Sequence, residues 1–153
     1  MIIEIPKLRP EGEWFEGDEP AEVLDLAADP TVRVSEPIHY SLFVQAVSGQ
    51  LVVKGELRLP LQVQCGRCTE FFSTIIAESS FLRAYDIPGA VETVDVTPDM
   101  REDILLQMPH YPVCSTDCKG LCPQCGTNLN KGSCSCKPPG DNRWSALDNV
   151  KLG

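Results

Sequence analysis

The chain has 153 residues, 42% hydrophobic and 23% charged, which suits a globular core and excludes wholesale disorder. Thirteen Lys and Arg stand against 22 Asp and Glu, and a formal charge of -9 argues against a protein whose main work is gripping phosphate backbones without discrimination. No apolar run approaches the roughly 20 residues of a membrane-spanning helix, and Met1-Ile2-Ile3-Glu4 meets Pro6 with no basic leader segment, so a cytoplasmic protein with no membrane partner is expected.

Met1 to Ile5 reads as a short strand. Residues 9–20, rich in Glu, Gly and Pro, read as an exposed acidic loop. Pro20 opens a short helix through Ala28, which Pro30 ends. Ile38 to Val47 and Leu51 to Val63 are two β-rich runs, the second alternating apolar and other residues from Leu57 onward. Ser48-Gly49-Gln50 between them signals an antiparallel hairpin, and Pro60 must sit at an edge or a bulge. Phe71 to Tyr85 continues the meander. Thr97-Pro98-Asp99 starts a helix, with Thr97 as cap and with Met100, Ile104, Leu105 and Met108 on one core-facing stripe.

Charge divides the chain near Pro109-His110-Tyr111-Pro112. Residues 1–113 hold 8 of the 13 basic and 19 of the 22 acidic side chains, whereas residues 114–153 hold five basic and three acidic ones. Two units are expected: a β-rich α+β domain over 1–113 with an acidic N-terminal segment, and a cysteine-rich tail over 114–153 packed on it. The fold class is α+β, an antiparallel meander or barrel-like sheet with one or two short helices and a zinc-ribbon-like tail.

Eight cysteines in a chain with no recognisable secretory leader point to metal or redox chemistry rather than a disulfide scaffold. They fall in close pairs: Cys65-Gly66-Arg67-Cys68, Cys114-x-x-x-Cys118, Cys122-Pro123-Gln124-Cys125 and Cys134-Ser135-Cys136. Two residues between cysteines let the backbone curl around one ion, and a tetrahedral zinc site takes four thiolates from two such turns. Gly66 and Gly126 suit the positive φ that these turns need. One or two Zn2+ ions are expected. The simplest partition joins Cys122 and Cys125 with Cys134 and Cys136, and Cys65 and Cys68 with Cys114 and Cys118; one site from any four of the six tail cysteines is the alternative. A closed four-thiolate shell has no position for water, so the sites read as structural.

The rival reading is a thiol oxidoreductase. Its CxxC sits between a strand and a helix, whereas Cys65 and Cys68 fall between two β-rich runs. Cys68-Thr69-Glu70 mimics half of a zinc deaminase signature, but the Pro-Cys-x-x-Cys half is absent. His39 reads as a sheet residue and His110 as a loop residue or spare ligand. No phosphate-binding glycine loop or nucleophile elbow is present. A non-enzymatic protein without a small-molecule substrate is expected.

Several ordered motifs carry a resemblance. The run Cys114 to Asn130 closing on Cys134-Ser135-Cys136, the upstream Cys65-Gly66-Arg67-Cys68, the stretch from Val94 through Arg101 to Pro109, and Asn142-Arg143-Trp144-Ser145-Ala146-Leu147 together resemble the YceD family, with Asn142 where that family has proline. Its members are described as large ribosomal RNA subunit accumulation proteins, and the resemblance covers roughly residues 35–150. It implies a cytoplasmic accessory factor for accumulation of 23S ribosomal RNA and no catalytic residues. Contact with large-subunit ribosomal RNA or a ribosomal protein is expected through Lys119, Lys131, Lys137, Arg143 and Lys151, with Trp144 stacking on a base or anchoring the tail. A zinc-ribbon nucleic-acid-binding module is the third reading.

Overall fold

The computed structural model describes residues 1–89 and 91–137. Its elements are β1 (Ile2–Glu4), β2 (Glu13–Glu19), β3 (Val32–Arg33), β4 (Ile38–Val47), β5 (Gln50–Gln64), β6 (Phe71–Asp86), β7 (Thr93–Asp95) and one helix, α1 (Thr97–Leu106), with 3-10 turns at Ile5–Lys7 and Ala21–Leu24. The expected strands at 38–47, 51–63 and 71–85 are present almost to the residue. The five-stranded sheet is antiparallel and open: β2, β4, β5 and β3 pair in that order, and β6 lies along β5. Among the described residues no pairing closes it into a barrel. β1 and β7 form a separate two-stranded ribbon.

β5 organises the sheet. Its side chains at 51, 53, 57, 59, 61 and 63 are all buried, because alternation along a strand sends every second residue to one face. β4 pairs with its first part, up to His39 opposite Arg58, and β3 with its end, from Arg33 opposite Gln62. Pro60 falls in the gap between them, paired only with Ile75 of β6, so its missing N–H costs no ladder bond on that side. The Ser48-Gly49 turn has positive φ at both residues (51° and 83°), the two-residue hairpin whose twist matches the strands.

The covered face of the sheet packs on α1, whose Met100 and Ile104 are fully buried with Leu42, Leu57, Leu59 and Phe81. Strict alternation along β6 puts Ile76 and Phe81 on opposite faces. An extra residue in β6 between Glu78 and Phe81, opposite Glu56, returns Phe81 to the core. Arg83 then reaches α1, pairing with Asp103 and, at 3.1 Å, with Asp99, which also accepts from the Tyr85 hydroxyl at 2.5 Å.

Three local expectations are corrected. Within the expected acidic loop, Glu13–Glu19 forms β2, paired through seven residues with β4; tertiary pairing outweighs weak strand propensity at an edge where charged side chains stay in water. The expected helix over residues 20–28 is a single 3-10 turn, Ala21–Leu24, ended by Asp25 in the left-handed region. Thr97 is the first residue of α1 rather than its cap: its hydroxyl meets the Met1 amine, and Asp95 Oδ1 accepts the Thr97 N–H at 3.0 Å.

Candidate metal centres

The β5–β6 connection runs from Cys65 to Glu70 and carries the first cysteine pair. Cys65 N–H donates to Glu70 O at 2.9 Å, and Thr69 N–H donates back to Cys65 O at 2.9 Å. This is a tight knuckle. The residue after the second cysteine, Thr69, has φ 60°. The second knuckle repeats the geometry: Gly126 N–H donates to Cys122 O at 2.9 Å, and Gly126 has φ 74°. The left-handed position is thus glycine in one knuckle and a β-branched residue in the other, and the expectation that Gly66 takes that role in the first is corrected. A Thr there costs about 1 kcal/mol relative to glycine. Thr69→Gly is expected to stabilise the protein by up to about 1 kcal/mol, read as a raised denaturant midpoint at unchanged slope.

The tail docks on this knuckle. Gly66 N–H donates to Pro112 O at 2.8 Å and Leu121 N–H to Arg67 O at 3.1 Å. The Arg67 guanidinium donates to Thr116 O and Cys118 O, both at 3.2 Å. Arg67 is therefore a splint between sheet and tail.

These contacts bring together Cys65, Cys68, Cys114 and Cys118, whose sulfurs all lie within 4.8 Å of one another. Cys65 Sγ is 3.9 Å from Cys118 Sγ, and Cys68 Sγ is 3.7 Å from Cys114 Sγ. Disulfide sulfurs lie about 2.05 Å apart, so these thiols are unbridged. A tetrahedron with metal–sulfur bonds of about 2.3 Å has edges of about 3.8 Å, so the spacing fits an ion at the centre. Cys65, Cys68 and Cys118 are buried. The second quartet, Cys122, Cys125, Cys134 and Cys136, lies wholly in the tail with its sulfurs also within 4.8 Å of one another.

Electrostatics fit a cation. Burial opposes ionisation of Cys65, but N–H groups of Cys114, Cys68 and Arg67 donate to its sulfur and hold it down to about 6. The Cys118 sulfur beside Cys114 pushes that thiol up to about 12. In the second quartet the Thr127 hydroxyl, 3.2 Å away, and its N–H hold Cys125 at about 6, while the Cys125 sulfur pushes Cys136 up to about 12. Four sulfurs this close cannot all ionise alone; a divalent ion among them removes the repulsion.

Sequence reasoning missed three supporting residues. Asn130 donates from Nδ2 to Cys118 Sγ at 3.3 Å and accepts the Lys119 N–H at 2.8 Å, tying the two quartets together. Thr127 supports Cys125, and Glu70 receives Lys131 Nζ at 2.7 Å. The Asn-x-Asn spacing is the one sequence signal for this: Asn128 Oδ1 accepts the Asn130 N–H at 3.0 Å in a local turn. Of the expected contact residues, Lys119, Lys131 and Lys137 line one tail cavity, and Arg143, Trp144 and Lys151 lie outside the described residues. His39 is an exposed sheet residue whose Nδ1 lies 2.5 Å from Asp18, and His110 is exposed and belongs to neither quartet.

Residues 83–151 match the family described as large ribosomal RNA subunit accumulation protein YceD. An uncharacterised protein of Mycobacterium tuberculosis (strain H37Rv) is 32% identical over 120 residues, 69% of this chain and 58% of that protein. The large ribosomal RNA subunit accumulation protein YCED homolog 1, chloroplastic, of Zea mays is 41% identical over 64 residues, covering 41% of this chain and 22% of that protein. Its Arabidopsis thaliana namesake is 32% identical over 65 residues, covering 42% and 20%. The chain thus spans less than two thirds of the length of these relatives. No solved structure matches it. Over residues 83–151 the chain is thus similar to the YceD family, the family its cysteine motifs resemble.

Proposed function

We propose that the protein is a non-enzymatic, cytoplasmic accessory factor of large ribosomal subunit biogenesis that supports accumulation of 23S ribosomal RNA. A zinc-ribbon-like tail, folded by two structural Zn2+ ions, forms its docking surface for ribosomal RNA or a ribosomal protein. The family match over residues 83–151 carries the ribosomal part, with the names of the plant relatives beside it. Zinc is supported by the sulfur spacing and by the all-cysteine donor set, which suits this soft tetrahedral ion. When bound it supplies rigidity and no reactive position. The first quartet fastens the tail to the sheet, and the second holds the tail's own fold.

A redox role finds less support. Cys65 and Cys68 are 1% and 2% exposed and lie between β5 and β6, with no helix N-terminus to stabilise an attacking thiolate. Among the described residues no helix is long and apolar enough to cross a membrane. The test is sedimentation of cell extract with RNA analysis. The protein is expected to travel with large-subunit precursors, and its depletion to lower 23S RNA relative to the small-subunit RNA. Absence from every ribosomal fraction, with normal RNA ratios, overturns the reading.

A further inference from the structure

The described part of the tail contains three lysines, and all three line one cavity of about 650 Å³ whose wall also includes Cys122, Cys134 and Cys136 of the second quartet. Lys119, Lys131 and Lys137 come from three separate stretches of chain, so only the fold of the tail brings them together. Pro123 and Leu129 give the cavity apolar wall, Asn130 adds a polar group, and no carboxylate among the described residues lines it. Lys119 and Lys137 have no carboxylate partner among the described residues, whereas Lys131 is held by Glu70 at 2.7 Å just outside.

We propose that this cavity binds a phosphodiester and the adjoining unpaired nucleotide of single-stranded RNA; the assignment rests on the ribosomal reading above and narrows it to one surface. Lysine ammonium groups bind phosphate as point charges and position the strand without reading its sequence. With a divalent ion bound, the nearby quartet carries about -2, which three ammonium groups offset together with the Glu70 charge. This wall therefore does not repel phosphate, although the chain as a whole carries -9. Pro123 and Leu129 give a base or ribose an apolar surface, and the volume lies in the range of small-ligand pockets. A duplex is disfavoured, because its bases are stacked inside and only its convex backbone meets a concave wall.

The test is fluorescence anisotropy with the zinc-loaded full chain and a labelled single-stranded RNA oligomer across a salt series. Each phosphate contact contributes about 0.7 to the slope of log affinity against log salt for a single strand. Because one phosphodiester is held, the combined Lys119→Ala, Lys131→Ala and Lys137→Ala variant is expected to lose about 0.7 from that slope and to bind at least ~10-fold more weakly. Lys137→Ala alone, which breaks no ion pair in the described residues, is expected to lose a smaller part of the same slope. Arg101→Ala, on the exposed face of α1, leaves binding unchanged, and Glu70→Gln, which frees Lys131, strengthens it about twofold. Zinc content verifies that each variant is folded. Equal affinity and slope in wild type and both lysine variants overturns the proposal, as does a duplex that competes as well as the single strand. If wild type and triple variant travel equally with large-subunit precursors and neither binds the oligomer, the cavity assignment falls while the ribosomal reading stands.

Discussion

Replacing Cys65 with serine is expected to free the tail from the sheet while leaving the sheet folded. Cys65 and Cys68 sit at the tip of the β5–β6 hairpin, and their partners Cys114 and Cys118 are the first cysteines of the tail. A metal in this quartet therefore closes a loop of about fifty residues. Zinc in small thiolate sites contributes on the order of 10 kcal/mol at neutral pH, far more than the few backbone and Arg67 hydrogen bonds that remain. The sheet and α1 keep their own core, none of which lies in the tail. Cys65→Ser should lower bound zinc from two ions to one and strip tail amides of at least ~3 kcal/mol of protection against hydrogen exchange. Cys125→Ser should also lose one ion, yet leave Pro112 to Leu121 protected, because its site is internal to the tail. Equal protection of those residues in wild type and Cys65→Ser would contradict this division of labour.

Gly55→Ala is expected to be the most damaging small substitution in the sheet. Gly55 lies in the inward-facing row of β5 between Val53 and Leu57, opposite Leu42 on one side and Phe81 on the other. A Cβ there would stand 2.1 Å from Ser41 O and 2.9 Å from Leu42 Cα, both backbone atoms that cannot swing aside. The β4–β5 ladder would have to part just where β6 carries its extra residue. A cost on the order of 3 kcal/mol follows, or roughly a 10 °C fall in Tm for a domain of this size. Glu56→Ala, one residue along, removes only an exposed pair with Arg58 at 3.0 Å and should change stability by no more than ~0.5 kcal/mol. Thermal unfolding of the two zinc-loaded variants separates these outcomes; similar midpoints would show that β4 and β5 can part at little cost.

Much of this architecture is legible in the sequence because two signals are local. Alternation at 57, 59, 61 and 63 places β5, and the proline and acid after Thr97 place α1, since strand burial and helix starts depend on neighbours in sequence. The close spacing of the cysteine pairs similarly announces metal turns, because the knuckle that carries two ligands is itself local. Gly55 and the extra residue in β6 cannot be read this way: both answer to atoms on another strand. β2 reads as a loop because Glu13, Glu16, Gly17, Asp18 and Glu19 suit exposed turns, and only its seven-residue pairing with β4 makes it a strand. Gly66 draws attention ahead of Thr69 because glycine is the usual residue at positive φ, yet the knuckle needs that conformation after the pair, not within it. Asn130 lies twelve residues from the sulfur it supports, beyond the reach of any local pattern.

The measurement that bears most directly on the metal-folded tail is native mass spectrometry of the full chain purified without chelator, followed by alkylation of the same sample. Two zinc ions per chain are expected, with all eight thiols unreactive until the metal is removed. A metal-free chain whose thiols alkylate at once, or whose cysteines are found paired as disulfides, would contradict it.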